Sequence, residues 1–442
     1  MRLWKNSKYI NAGDVFLCDG GNNKYVDDAV KKGASLIVSE LDDKYDVTSI
    51  KVDNVDDYLN DYYYDMIKDI KLIGVTGTNG KTTTCYLIYQ MLNSTGIKTA
   101  YIGTIGCFID NEKKALDNTT PSIDLLYNLI LDAKEKDCKV VVMEVSSHAL
   151  DQNRTGKLLF DAIGVTNVTK EHLDYHKRMK NYINCKRKIL KELRNKKICI
   201  LNKKERYYRK FRDKSNTNYI IGKDIKIKKI NMNINESDFV FNDKKMKYHV
   251  RLSLVGMFNI YNFLMAYKII KELGYDYNYV INNAINYVHP MGRMQRFNYQ
   301  GNAIFIDYAH TPDAVLKVLK TVRKIKNNGL ITIIGCGGNR DKEKRPIMGM
   351  IASKYSSYVI FTNDNPRYED EHKIVKDMIK KVGQNYTIIY DRYRAIEKGI
   401  SMLKDNMIIM ILGKGHEDYQ IIGNKKIKYS DIESVESIIK RA

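Results

Sequence analysis

The chain has 442 residues, carries 74 Lys and Arg against 52 Asp and Glu for a formal net charge of +22, and is 44% hydrophobic. That length admits two to four domains with well-filled cores, and the longest apolar run, residues 407–412, is far short of the roughly 20 residues a bilayer span requires. The charge alone would suit a nucleic-acid binder, but Lys, Asn, Ile and the 33 Tyr are enriched along the whole chain without a basic block interleaved with aromatics, so the lysines read as solvated background whose field favours anionic small molecules.

The seven cysteines (18, 85, 107, 138, 185, 199, 336) are scattered and form no Cys-x-x-Cys, which fits a reducing compartment without structural zinc or disulfides. The start, Met1-Arg2-Leu3-Trp4-Lys5-Asn6, lacks the apolar core of a signal peptide. A cytoplasmic protein with small-molecule partners, and neither nucleic acid nor membrane, is the expectation.

In chain order, residues 1–70 form a small leading unit with strands at 13–17 and 34–38, and the acidic, tyrosine-rich residues 51–69 read as a link. Residues 71–295 read as an α/β unit. An apolar strand at 72–75 runs into Thr76-Gly77-Thr78-Asn79-Gly80-Lys81-Thr82-Thr83, and a helix-like stretch follows at 85–92. Strand, glycine-rich turn and helix N-terminus make a phosphate cradle, with free N–H groups and the positive helix end facing the anion. In such a cradle Lys81 reaches terminal phosphates and the Thr82 hydroxyl meets Mg2+. The spacing is not the standard one, since its first glycine falls on Val75, and a plain Gly/Asn turn before a helix is the competing reading.

The apolar strand 140–143 ends in Glu144-Val145-Ser146-Ser147-His148. Ligands gather at the carboxyl ends of parallel strands, so Glu144 reads equally as a metal ligand or as a solvent-facing strand end. Another strand, 162–166, leads to Asn167-Val168-Thr169-Lys170-Glu171-His172-Leu173-Asp174-Tyr175-His176, whose two histidines and two acids suggest a site. A helix is predicted over 179–193 with one apolar face and Lys186 in its middle. By periodicity alone this is a lysine snorkelling to the surface. Residues 202–250 read as short peripheral strands and loops whose sequence is uninformative about chemistry, and 256–262 open a further helix.

From about residue 291 strands and helices alternate, with strands at 303–306, 330–334, 358–361, 386–389 and 407–412, as in a second parallel αβ unit. Their ends carry Asp307-Tyr308-Ala309-His310, Gly335 to Asp341, Asn363-Asp364-Asn365-Pro366-Arg367 and Gly413-Lys414-Gly415-His416-Glu417. Arg340 and Arg367 suit a carboxylate and Glu417 an ammonium, which together describe an amino-acid subsite.

These stretches, with Asn118-Thr119-Thr120-Pro121 and Gly292-Arg293-Met294, resemble the Mur ligase family of peptidoglycan synthesis over nearly the whole chain. The resemblance implies an α/β fold of three domains: a small N-terminal substrate-binding domain (1–70), a central P-loop ATPase-like parallel sheet (71–295) and a C-terminal Rossmann-like domain (296–442). It implies an ATP-dependent amide ligase that phosphorylates the D-glutamate side-chain carboxylate of a UDP-N-acetylmuramoyl dipeptide, so that the amine of meso-diaminopimelate attacks the acyl phosphate. L-lysine, meso-lanthionine or another acceptor are the alternatives, and a nucleotide-binding regulator is the alternative from another class.

By the same resemblance, Gly77, Thr78, Asn79, Gly80, Lys81, Thr82, Thr83, Asn259, Asn262, Arg293 and His310 bind ATP. Thr82 and Glu144 hold one Mg2+, while His172 and a carbamylated Lys186 serve a second. Ser7, Asn118, Thr119, Thr120, Ser146, Gln152 and Arg154 hold the UDP-muramoyl dipeptide, and Arg340, Asn365, Arg367, Gly413 and Glu417 the diamino acid. A monomer whose last domain closes on ATP is implied. The chain departs from the family pattern in its short leading domain, in Asn6-Ser7-Lys8 for Asp-Ser-Arg, and in Asn339 for the aspartate before Arg340.

Overall fold

The structure, a computed structural model, describes residues 1–110, 112–325 and 328–441. At its centre Val140–Glu144, Lys71–Thr76 and Phe160–Val165 lie side by side and parallel. The parallel run continues through Leu193–Asn202 and Thr217–Ile221 on one side and Thr99–Gly103 on the other. Antiparallel hairpins, Ser237–Asp243 with Met246–Leu252 and Gly106–Ile109 with Glu112–Lys114, finish the two edges of this eleven-stranded sheet.

Side-chain alternation assigns the faces. Leu72 packs with the helices Val55–Ile67 and Ile123–Glu135, whereas Ile73 and Val75 pack with Lys81–Ser94 and Met257–Glu272. With both faces covered, the central strands are apolar throughout, and all five residues of Val140–Glu144 are buried.

Three expectations are corrected. Residues 51–69 are no link, because Val55–Ile67 is a helix capped by Asn54, whose side chain accepts from the Asp57 N–H at 2.9 Å. Val55, Leu59, Tyr63 and Ile67, spaced by four, are its buried stripe. The helix predicted over 179–193 stops at Arg187, passes through the turn Lys188–Lys191, and enters the strand Leu193–Asn202, whose first residue pairs with Phe160.

The third concerns 202–250, which extends the central sheet rather than decorating it. Its hairpin is anchored by the fully buried Asp243 carboxylate, which accepts from Tyr267 at 2.9 Å, Lys271 at 2.8 Å and Lys268 at 3.2 Å. Burial opposes its ionisation, but the two lysines and the phenol hold its pKa below the usual value.

The leading residues build a parallel four-stranded sheet from Leu3–Trp4 to Ser49–Lys51. A six-stranded sheet follows the central one, ordered Gln295–Tyr299, Asn302–Asp307, Met407–Leu412, Gly329–Ile334, Tyr358–Phe361, Tyr386–Ile388, all parallel except the first. The five strands predicted after residue 300 are all present. Among the described residues no helix is long and apolar enough to cross a membrane.

One buried ion pair fixes the loops that leave this last sheet. Arg392 lies against Asp431 at 2.7 and 2.8 Å, both essentially inaccessible, and donates to the carbonyls of Leu412 and Asn363 at 3.0 Å. Removing one partner of such a pair strands a buried charge. Arg392→Ala is therefore expected to lower stability by about 3–5 kcal/mol, read by urea denaturation; an unchanged midpoint would contradict the clamp.

Candidate active site

The turn after Lys71–Thr76 is laced to the turn after Phe160–Val165. Thr78 N–H donates to the Asn167 carbonyl at 2.8 Å, Asn79 N–H to the Asn167 side chain at 2.9 Å, and the Thr166 hydroxyl to the Asn79 carbonyl at 2.7 Å. Gly77 has φ +148°, and a Cβ there would lie 1.9 Å from the Thr166 hydroxyl oxygen, so no other residue fits. The helix Lys81–Ser94 begins at once, with Thr82 and Thr83 buried in its first turn.

Two ammonium groups converge on this turn. Lys81 donates to the carbonyls of Gly77 and Thr78 at 2.9 and 3.0 Å, and Lys186 donates to the same Gly77 carbonyl at 2.9 Å. Lys186 does not snorkel: it is 1% exposed, with its ammonium 4.8 Å from the Tyr182 ring centre. Burial, then the charge of Lys81, lowers its pKa well below the ordinary lysine value.

Glu144, fully buried, accepts from the Thr82 hydroxyl at 3.0 Å, and Arg293 donates to that hydroxyl at 3.3 Å. The strand-end reading is thereby resolved: the carboxylate points inward, beside the cradle. A hydroxyl and a carboxylate next to a phosphate site are the hard oxygen donors Mg2+ takes, usually one or two from protein and the rest from phosphate and water.

His172 sits at φ +54° in the next turn. Burial drives its pKa to about 4, so the ring is the neutral form that ligates metals. Glu171 stands between two histidines, 3.7 Å from His172 Nε2 and 3.0 Å from His310 Nε2. Burial opposes its charge, but the His310 hydrogen bond and the field of His172 hold the carboxyl far below its usual range. Glu171 is one of the two acids that, with two histidines at a parallel strand end, suggest a site in the sequence, though no role is assigned to it there.

On the other side of Glu144, Thr120 donates to the Glu144 carbonyl at 2.8 Å and accepts from Ser146 N–H at 3.0 Å. Arg154 donates to the Thr120 carbonyl at 2.8 Å and to Gln152 at 2.9 Å, and the hydroxyls of Thr119 and Thr104 lie 3.0 Å apart. Thr119, Thr120, Ser146, Gln152 and Arg154 thus share one surface, with Asn118 exposed at its rim. Ser7 is buried in the turn Ser7–Tyr9, its carbonyl accepting from Lys32 at 3.2 Å, and among the described residues no hydrogen bond joins it to this group.

Two cavities flank the cradle. One of about 380 Å³ is lined by Asn79, Gly80, Thr83, Asn259, Asn262, Arg293 and His310, together with Asn202, Lys204, Glu205 and Met232. The last four come from residues 202–250, whose sequence is uninformative about chemistry. The other, about 400 Å³, is lined by Arg340, Asn365, Arg367, Gly413 and Glu417, with Glu171 and His172 opposite.

In this second cavity Glu417 accepts from Asn365 at 2.8 Å and from the buried Lys414 at 3.1 Å. Arg367, at φ +54°, donates to the Gly338 carbonyl at 3.0 Å, and burial followed by repulsion from Arg340 lowers its pKa. Tyr308 and His310 line both cavities. The last sheet's unit is docked on the cradle: Asn79 bonds Asp313 at 3.1 Å and Lys170 bonds Glu343 at 2.6 Å.

Residues 75–270 match the Mur ligase middle domain and residues 292–415 the Mur ligase glutamate ligase domain. A curated relative, the UDP-N-acetylmuramoyl-L-alanyl-D-glutamate–2,6-diaminopimelate ligase 1 of Clostridium acetobutylicum, is 36% identical over 454 residues, covering 98% of this chain and 94% of its own length. A solved structure of a ligase of that description superposes with a TM-score of 0.69 at 27% identity, over 100% of this chain and 94% of the other. The MurF ligase of Thermotoga maritima in complex with ADP shares the fold, with a TM-score of 0.72 at 17% identity over 100% and 98% of the two chains. By sequence, fold and arrangement of the cradle between its two cavities, the chain belongs to the Mur ligase family.

Proposed function

We propose that the chain catalyses the ATP-dependent addition of meso-2,6-diaminopimelate to UDP-N-acetylmuramoyl-L-alanyl-D-glutamate. The observation that carries this reading is the pair of cavities sharing Tyr308 and His310 as a wall, one leading from the phosphate cradle and the other holding Arg340, Arg367 and Glu417. The relatives named for this reaction support it over almost their full length.

ATP occupies the first cavity with its phosphates over Lys81 and the helix N-terminus. Thr119, Ser146 and Arg154 bring the D-glutamate carboxylate to the γ-phosphate. An oxygen of that carboxylate bonds to phosphorus as ADP leaves, which converts a poor electrophile into an acyl phosphate. In the second cavity Glu417 holds an ammonium of the diamino acid and Arg367 grips its distal carboxylate. The free amine adds to the acyl carbon, loses its proton, and the tetrahedral intermediate expels phosphate.

When bound, Mg2+ neutralises charge on the phosphate oxygens; Thr82 with Glu144, and His172 with Lys186, are the residues that would hold it. Lys186 suits the second place as a carbamate. A buried, neutral amine adds CO2 with loss of one proton, and the anion formed faces Lys81 instead of repelling it.

Lysine lacks the distal carboxylate and would leave the half-buried Arg367 guanidinium without its carboxylate partner. Selectivity for diaminopimelate over lysine is expected to reach about 10⁴-fold in kcat/KM, and Arg367→Ala should collapse it mainly by losing diaminopimelate. Product formation with each amino acid measures this, meso-lanthionine being the third arm because it offers the same carboxylate; a preference for lysine would overturn the assignment.

Lys186→Ala is expected to lose nearly all ligase activity while keeping its fold, with partial recovery on adding a short-chain carboxylate. Phosphate release and circular dichroism read the two parts. Full activity in the variant would exclude the carbamate role.

A further inference from the structure

Glu144 is held by residues outside every motif considered so far. Its Oε1 accepts from the Tyr101 hydroxyl at 2.7 Å and from the Thr104 N–H at 2.8 Å. Its Oε2 accepts from the Thr104 hydroxyl at 3.2 Å and from Thr82 at 3.0 Å. With its one proton directed at Glu144, the Thr104 hydroxyl is left to accept from Thr119.

The phenol is placed with little freedom. Tyr101 is fully buried, and the rings of Tyr86, Tyr89 and Phe108 surround it at centroid distances of 6.1, 6.3 and 5.4 Å. A Cβ on Gly103 would come within 2.4 Å of both the phenol oxygen and Glu144 Oε1, so the strand keeps a glycine where these two atoms meet. Packing alone does not explain a tyrosine here, since phenylalanine would fill the same ring site.

We propose that Tyr101 and Thr104 are positioning residues for the Glu144 carboxylate: the Tyr101 hydroxyl and the Thr104 N–H clamp Oε1 while the Thr104 hydroxyl steadies Oε2, so that Oε2 is the oxygen turned to Thr82 and to the divalent cation. The inference rests on the reading of Glu144 as a metal ligand. Fixing the orientation of a ligating carboxylate through its outer hydrogen bonds is worth roughly 10- to 100-fold in metal affinity or activity.

The test is Mn2+ titration followed by electron paramagnetic resonance, in the presence of ADP, on the full chain. Tyr101→Phe is expected to weaken Mn2+ binding roughly 10- to 100-fold while leaving metal-free ADP binding and the melting temperature unchanged, and the Mg2+ concentration for half-maximal activity should rise in step. Thr104→Ala keeps the N–H on Oε1 but removes the hydroxyl that steadies Oε2, without touching the aromatic cage, and should move Mn2+ affinity in the same direction; it carries the test if Tyr101→Phe does not fold. Tyr89→Phe, in the same ring cluster, should behave as wild type.

Wild-type Mn2+ affinity in Tyr101→Phe, or in Thr104→Ala where that variant carries the test, overturns the clamp. Glu144→Gln separates the two levels. If that variant binds Mn2+ normally, the ligand reading itself fails; if it loses Mn2+ while Tyr101→Phe does not, only the clamp fails.

Discussion

Two lysine side chains donate to one backbone carbonyl, that of Gly77. Burial and the charge of Lys81 push Lys186 toward its neutral form, which is how the two come this close. Glu144 already accepts from hydroxyl and backbone donors and Glu171 is committed to two histidines, so neither carboxylate pairs with Lys81. The site is therefore built for a polyanion, and each neighbouring element can be read by which part of it that element serves. The glycine turn offers N–H groups and no side-chain bulk. The parallel strand ends bring Glu144 and His172 to its flanks. The docked unit of the last sheet closes the remaining side with His310, beside Arg293 from the segment just before Gln295–Tyr299.

Much of this was legible because it depends on local chemistry. A strand, a glycine turn and Gly-Lys-Thr define a cradle wherever they occur, and the five strands expected after residue 300 are present, whereas the hairpin Tyr419–Ile422 with Lys425–Lys428 went unread. Lys186 was legible only in part. Periodicity placed it correctly on an apolar face but offered snorkelling as the cheaper outcome; only the burial and its contact with Gly77 decide otherwise.

What escaped were facts of long range. The helix Val55–Ile67 hides its stripe because tyrosine counts as polar or apolar depending on where its hydroxyl goes, and the Tyr63 hydroxyl goes to Asn128, far along the chain, at 2.7 Å. Of the strands between 217 and 252 only Ser237–Asp243 alternates fully between buried and partly exposed positions, and nothing local tells which sheet they join. Tyr101 and Thr104 belong to no motif of their own. Each matters through an atom contributed by another segment, and a sequence read alone does not display such pairs.

The Arg392–Asp431 pair has a consequence at a distance. Asp431 opens the helix Asp431–Arg441, and its partner grips the carbonyls just before Gly413 and Asp364. The chain's last helix is thereby a mechanical member of the amino-acid pocket although it contributes no lining side chain. Variation in the helix Asp431–Arg441 is then a route by which substrate preference drifts without any change in the residues that touch the substrate.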